Sequence, residues 1–84
     1  MSKRASVWMP PHNDSRGPRE VRMCDGVEVA GLYYLAPSNI TAASWFAYAS
    51  TAYGATLKTG NGPTVDDCRQ AADDWMLKYG WVLK

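Results

Sequence analysis

The stretch that decides the fold is Thr64-Val65-Asp66-Asp67-Cys68-Arg69-Gln70-Ala71-Ala72-Asp73-Asp74-Trp75-Met76-Leu77-Lys78-Tyr79-Gly80. Thr64 can accept a hydrogen bond from the opening turn as an N-cap, and Asp66 and Asp67 then lie where the helix dipole favours negative charge. Lys78 falls in the last turn, and Gly80 is placed to end the helix. Val65, Cys68, Ala71, Ala72, Trp75, Met76 and Tyr79 recur at spacings of three and four, which makes one apolar stripe. Arg69–Asp73 and Asp74–Lys78 stand at i,i+4, the spacing of ion pairs on a solvated face. The reading is a helix over 64–80, followed at 81–84 by a short terminal strand or packed tail through Trp81-Val82-Leu83.

Working back towards the N-terminus, the periodicity changes from helical to alternating. Val21-Arg22-Met23 and Val27-Glu28-Val29 flank Cys24-Asp25-Gly26. A two-residue Asp-Gly turn would set Met23 against Glu28. A three-residue loop with Gly26 left-handed sets Met23 against Val27, Val21 against Val29 and Arg22 against Glu28. Hydrophobic matching selects the longer loop. The second strand runs on through Leu32-Tyr33-Tyr34-Leu35 and stops at Pro37.

Residues 38–54 admit two readings. Ala42 to Ala49 could be a short helix capped by Thr41 and closed by Gly54. Alternatively, a strand from Trp45 to Thr51 turns at Tyr53-Gly54 into a second strand, Ala55 to Thr59. Aromatic and Ser/Thr content favours the hairpin, as does the Gly60-Asn61-Gly62-Pro63 block before the helix. A loop at Ala52–Gly54 would set Ala49 against Leu57 and Ala47 against Thr59.

Residues 1–19 are the least regular. Val7-Trp8-Met9 suits a short edge strand that Pro10-Pro11 would end, and His12 to Arg19 reads as an exposed loop. The whole is therefore one α+β domain over residues 1–84. An irregular segment (1–19) leads into an antiparallel β-sheet of about four strands (20–63), with the C-terminal α-helix packed on one face.

Composition agrees with a folded domain. Of 84 residues, 46% are hydrophobic and 12% aromatic, including Trp8, Trp45, Trp75 and Trp81. That is far from the low hydrophobicity and high net charge of disordered chains. The formal net charge is +1, from nine Lys/Arg against eight Asp/Glu. A protein held to nucleic acid mainly through phosphates usually carries a clear basic excess, so that partner is the less expected one. The charge is unevenly placed, with Lys3, Arg4, Arg16, Arg19 and Arg22 early and Asp66, Asp67, Asp73 and Asp74 late. Such two-ended charge favours an oriented partner. No apolar run approaches the roughly 18 residues of a membrane span. Cys24 and Cys68 are a thin disulfide framework, and nothing marks the chain as secreted. The cytoplasm is the expected compartment.

Residues for chemistry are sparse. His12 is the one histidine, and its neighbours Asn13, Asp14 and Ser15 cannot easily adopt the facing geometry of nucleophile, base and orienter. One His and two distant Cys give no zinc spacing, so no metal is expected. Asp66-Asp67 and Asp73-Asp74 are sequence neighbours, pointing about 100° apart on a helix, so neither pair shares a site. Gly60-Asn61-Gly62-Pro63-Thr64 lacks the Lys of a phosphate loop and the spacing of a dinucleotide fingerprint. The expectation is a non-enzymatic chain without cofactor.

The sheet is more informative. If the helix covers Val21, Met23, Val27, Val29, Trp45, Ala47, Ala49 and Leu57, the opposite face carries Leu32, Tyr34, Phe46, Tyr48 and Lys58, with Arg22 and Glu28. One helix cannot cover both faces. Either the second face meets a partner, or the N-terminal segment with Trp8 folds over it. Candidate partner-binding residues are Arg16, Arg19, Tyr34, Phe46, Tyr48 and Lys58. The arginines flank the stiffening Gly17-Pro18, and the aromatics supply anchoring area.

The last half of the chain, from Trp45-Phe46-Ala47-Tyr48 through the Gly-rich turns to Thr64-Val65-Asp66-Asp67-Cys68-Arg69-Gln70-Ala71-Ala72, resembles the C-terminal halves of small phage-encoded proteins. In style it is similar to anti-CRISPR proteins and related inhibitors of host defence. The resemblance implies a binder that blocks a host protein complex by occupying a surface. Such inhibitors share no functional residue pattern, so no residue roles carry over. Two other expectations stand beside it. In one, a nucleic-acid module stacks bases on Tyr34, Phe46 and Tyr48. In the other, a phage structural or assembly subunit forms a homodimer through the open sheet.

Overall fold

The computed structural model describes residues 3–11, 17–34, 43–49 and 56–84. Their elements are β1 (Lys3–Ala5), β2 (Glu20–Cys24), β3 (Val27–Tyr33), β4 (Ala43–Tyr48), β5 (Leu57–Gly62), α1 (Val65–Lys78) and β6 (Trp81–Leu83). Strands β2–β3–β4–β5 form an antiparallel sheet in sequence order, and β1 pairs in parallel with β6. The helix packs on one face of the sheet, as the sequence predicts.

The helix forms for the reasons visible in its sequence. Thr64 is extended, and its hydroxyl oxygen accepts from the Asp67 amide at 3.1 Å. Gly80 ends the run at φ +89°, a conformation that L side chains rarely adopt. Val65, Cys68, Ala72 and Met76 are buried, but Trp75 is half-buried and Tyr79 exposed, so the stripe is narrower than expected. Trp75 still packs against the core, and its ring meets that of Tyr79 at 4.6 Å and a tilt of 44°.

Residues 43–48 are a strand, which removes the helical alternative. Burial alternates along it: Ala43, Trp45 and Ala47 turn inward, while Ser44, Phe46 and Tyr48 turn outward. The Thr41 cap and the turn at Tyr53-Gly54 lie outside the described residues. The register differs from expectation by one residue: Tyr48 stands against Leu57, Ala47 against Lys58 and Phe46 against Thr59. A one-residue slip moves every side chain of a strand to the other face. Gly60 then lies opposite Trp45, whose indole covers it so closely that an added Cβ would fall 2.6 Å from Nε1.

The first hairpin also departs from its predicted register. Asp25 (φ 51°) and Gly26 (φ 79°) are both left-handed and form a two-residue turn, with Cys24 against Val27 and Met23 against Glu28. Two residues of positive φ give the primed turn whose twist matches the strands, and Asp and Gly tolerate that conformation best. A bulge then follows, and pairing resumes with Arg22 against Ala30, Val21 against Gly31 and Glu20 against Leu32. Val29 is the extra residue. Val29 and Ala30 are consequently both buried in the core, which strict alternation forbids. Hydrophobic matching failed because it assumed unbroken alternation, whereas the bulge exchanges the faces. Val21, expected under the helix, stands opposite Gly31 on the other face, and Arg22 and Leu32 take the helix side. Val27, expected inside, is exposed, as is Leu57.

The N-terminal strand lies earlier than Val7-Trp8-Met9. It is β1, and after it the chain runs beside β2 through Ser6 N–H to the Met23 carbonyl (2.8 Å) and a bridge between Met9 and Val21. Ala5 and Trp81 are buried together in the core, and the Trp81 indole N–H donates to the Tyr48 carbonyl at 2.8 Å. Cys24 and Cys68 are both reduced thiols. Burial, and then the neighbouring Asp67 charge, push the Cys68 thiol pKa up despite a bond from the Gly62 backbone.

The helix's polar side is tied to the sheet in place of the expected i,i+4 ladder. Arg22, 4% exposed, makes a forked pair with Asp73 at 3.0 and 3.2 Å. It also donates to the backbone oxygens of Ser6 and Lys84, and Trp8 lies over its guanidinium while donating to Asp73. Arg69 reaches Glu20 at 2.6 and 3.1 Å and Asp66 at 2.5 Å, while Asp74 accepts from Gln70. Part of the two-ended charge of the sequence is therefore neutralised inside the fold.

Candidate functional site

The face of the sheet turned away from α1 carries a row of aromatic rings. Tyr33 comes from β3, and Phe46 and Tyr48 come from β4. The Tyr33 and Phe46 centroids are 5.9 Å apart, and those of Phe46 and Tyr48 are 6.0 Å apart at 76°. Edge-to-face and tilted contacts at these separations are favourable beyond simple burial. The row is set by the registers: Phe46 lies across from Gly31, whose missing side chain gives the ring its seat. An added Cβ at Gly31 would stand 2.5 Å from the Phe46 ring and 2.9 Å from Pro18. Pro18 thus bounds the row on the β2 side, and Leu57 and Thr59 of β5 continue it on the other.

Between these residues lies a shallow groove of about 450 Å³, lined by Tyr33, Ser44, Phe46, Tyr48, Leu57 and Thr59, with Asn61 at its end. Its described lining offers rings, hydroxyls and one amide, and no carboxylate, imidazole or amine. Such a surface can bind apolar or aromatic groups and hydrogen-bond their polar neighbours.

The predicted site residues do not all meet here. Phe46 and Tyr48 do. Tyr34 turns to the helix side, packs on the core and donates its hydroxyl to Glu20 at 2.5 Å. Burial, and then that bond, raise the Tyr34 pKa. Lys58 lies across from Ala47 and so falls on the helix side of the sheet, because of the one-residue slip. Leu32 and Arg22, expected on the open face, are likewise on the helix side. Arg19 is exposed beside the row, its Nε donating to the Tyr34 carbonyl at 3.2 Å. Arg16 and His12 lie outside the described residues. Trp8 does not fold over the aromatics, since it is committed to Arg22 and Asp73 on the far side.

Tyr33, Leu57 and Thr59 are the members that sequence reasoning missed. All three depend on register. A bulge at Val29, which puts Leu32 as well as Val29 in the core, would have turned Tyr33 outward.

On the helix side, Glu20 binds Arg69 and Tyr34 together. Burial alone would raise its pKa, but the bonds from Arg69 and Tyr34 and the arginine's charge outweigh it and hold the carboxyl below its ordinary value. The Glu20 bond raises the already high pKa of Arg69 further. These groups brace β2 against α1 and do not open onto the groove.

The class defined by fold and site is a small α+β domain with one sheet face covered and the other bearing an aromatic groove. Comparison with family models, with curated proteins and with solved structures gave no match. No helix among the described residues is long and apolar enough to cross a membrane.

Proposed function

We propose that this chain is a non-catalytic protein-binding module that docks through the aromatic side of its sheet. The observation that carries the reading is the contiguous row of Tyr33, Phe46 and Tyr48 on the face opposite the helix. The helix, β1, Trp8 and β6 are engaged elsewhere, and clustered aromatic side chains on such a face are typical anchors of protein interfaces. The likeness to anti-CRISPR proteins makes a CRISPR-type effector complex the first partner to try, which would place the chain in a host cytoplasm.

The same rings could stack single-stranded nucleic acid. Against that, Arg22 and Arg69 are already paired with carboxylates.

The experiment is target-DNA binding by a panel of purified effector complexes, with and without the chain. The expected result is loss of DNA binding by one effector, with Phe46→Ala and Tyr48→Ala weakening inhibition about tenfold or more through loss of about 2 kcal/mol each. Inhibition unchanged by both substitutions overturns the assignment of this face. Direct binding to single-stranded oligonucleotides that collapses with moderate salt replaces the protein partner by nucleic acid.

A further inference from the structure

The row of rings ends at β5, the last strand in the order of the sheet. Strand β5 is bonded to β4 on one side, and among the described residues nothing pairs with its other side. Which of its backbone groups are free follows from one bond: the Ala49 amide donates to the Thr56 carbonyl at 2.8 Å. Antiparallel ladders alternate bonded and non-bonded pairs. Ala47–Lys58, Trp45–Gly60 and Ala43–Gly62 are therefore the bonded pairs. The amides and carbonyls of Leu57, Thr59 and Asn61 point away from the sheet. Pro63, next in that series, has no N–H, so the row of donors ends at Asn61.

These three residues also carry their side chains on the aromatic side, where all three line the groove. A backbone laid along the edge would place every second side chain beside that groove. On the other side of β5, Gly60 and Gly62 present no side chain, and Lys58 is exposed with no acidic partner among the described residues. Exposed edges are usually blunted by charge, proline or a bulge, and within β5 Lys58 is the one such device.

We propose that the outer edge of β5 is a strand-addition site. It takes, antiparallel, an extended segment of a partner protein that alternates apolar residues beside the aromatic groove with acidic residues facing Lys58. This rests on the reading of the chain as a protein-binding module and gives that reading its mode. A second copy fits less well. Two β5 strands paired about Thr59 would set Leu57 against Asn61 and Lys58 against Gly60, matching neither the apolar side chain nor the charge. An acidic, alternating segment matches both.

The test uses the isotopically labelled full chain and a synthetic octapeptide alternating valine and glutamate, followed by amide hydrogen exchange. Without peptide, Lys58 and Gly60 should exchange slowly, and Leu57, Thr59 and Asn61 fast. Saturating peptide should slow the latter three. In the added strand the valines bond to the edge, so N-methylating them should weaken binding about tenfold or more, while N-methylating the glutamates should not. Lys58→Glu should weaken the unmodified peptide about fivefold.

Three results overturn the proposal: no slowing at Leu57, Thr59 and Asn61; equal loss from both methylation patterns; or slowing that depends on the chain's own concentration without peptide, which would assign the edge to a second copy. Failure here with effector inhibition still sensitive to Phe46→Ala would sink the edge site and leave the docking face standing. Edge protection by the peptide without inhibition of any effector would do the reverse to the choice of partner.

Discussion

Arg22 shows how one residue can join most of the chain. It lies in β2, yet its guanidinium reaches α1 through Asp73, the N-terminal segment through the Ser6 carbonyl and the C-terminal segment through the Lys84 oxygen. Each guanidinium nitrogen has a partner, and Trp8 covers the flat face at 5.0 Å. A buried charge pair of this kind is weak as net stabilisation but costly to break from one side. Arg22→Ala should therefore destabilise the domain by about 3–5 kcal/mol, because Asp73 is left without its cation. Arg22→Lys should recover little, since an ammonium cannot reproduce the planar fork. Urea unfolding of both variants checks this, and a loss well under 1 kcal/mol for alanine would mean the pair is dispensable. In the sequence Arg22 reads as the solvated half of a cross-strand pair with Glu28. Only the bulge at Val29 turns it inward.

At the scale of elements, α1 and the β2–β3 hairpin are opposite cases. The helix is specified locally: cap, acidic first turn, apolar stripe and terminal glycine all lie within its own residues. Thr64→Ala should cost about 1 kcal/mol through the lost cap, and Met76→Ala, fully buried in the same helix, about 2–5 kcal/mol through a core cavity. Thermal or denaturant unfolding separates the two, and near-equal losses would contradict the assigned buried face. The hairpins hold their registers by different means. Asp25 and Gly26 fix a tight turn, and the bulge then decides which residues face the core. The β4–β5 pair is placed by what crosses it: the Trp45 indole needs a residue without a side chain opposite, and Gly60 meets that need.

At the scale of the whole molecule, the ion-pair networks and the aromatic groove of the described residues lie on opposite sides of the sheet. The helix side holds the core and both ion-pair networks, and the other side holds the aromatic groove. The Glu20–Arg69–Tyr34 network makes stability depend on pH in a definite direction. The Glu20 carboxyl is held below its ordinary value of 4.5, so the folded chain binds that proton less readily than the unfolded one. Its contribution is present above the ordinary value and is lost as pH falls through the folded one. Unfolding free energy should thus fall on acidification below about 4.5, and Glu20→Gln should flatten that part of the curve. Denaturant titrations across pH 3–6 would show it, and an unchanged slope in the variant would remove Glu20 as the cause.

By itself the sequence determined the class of the fold, the helix and its cap, the place of the first turn and an aromatic face opposite the helix. Those signals are local, or depend only on which residues are apolar. Tertiary structure decided the registers, and through them which aromatics form the groove. Tyr34 and Lys58 left the face and Tyr33, Leu57 and Thr59 joined it, because strand side chains alternate and one extra or missing residue exchanges the two faces. It also decided the partners of Arg22 and Arg69. Arg22 pairs with Asp73 and Arg69 with Glu20, both far away in the chain, and Arg69 also keeps the exposed Asp66 one helical turn back. Which distant carboxylate each guanidinium meets is set by how β2 packs against α1.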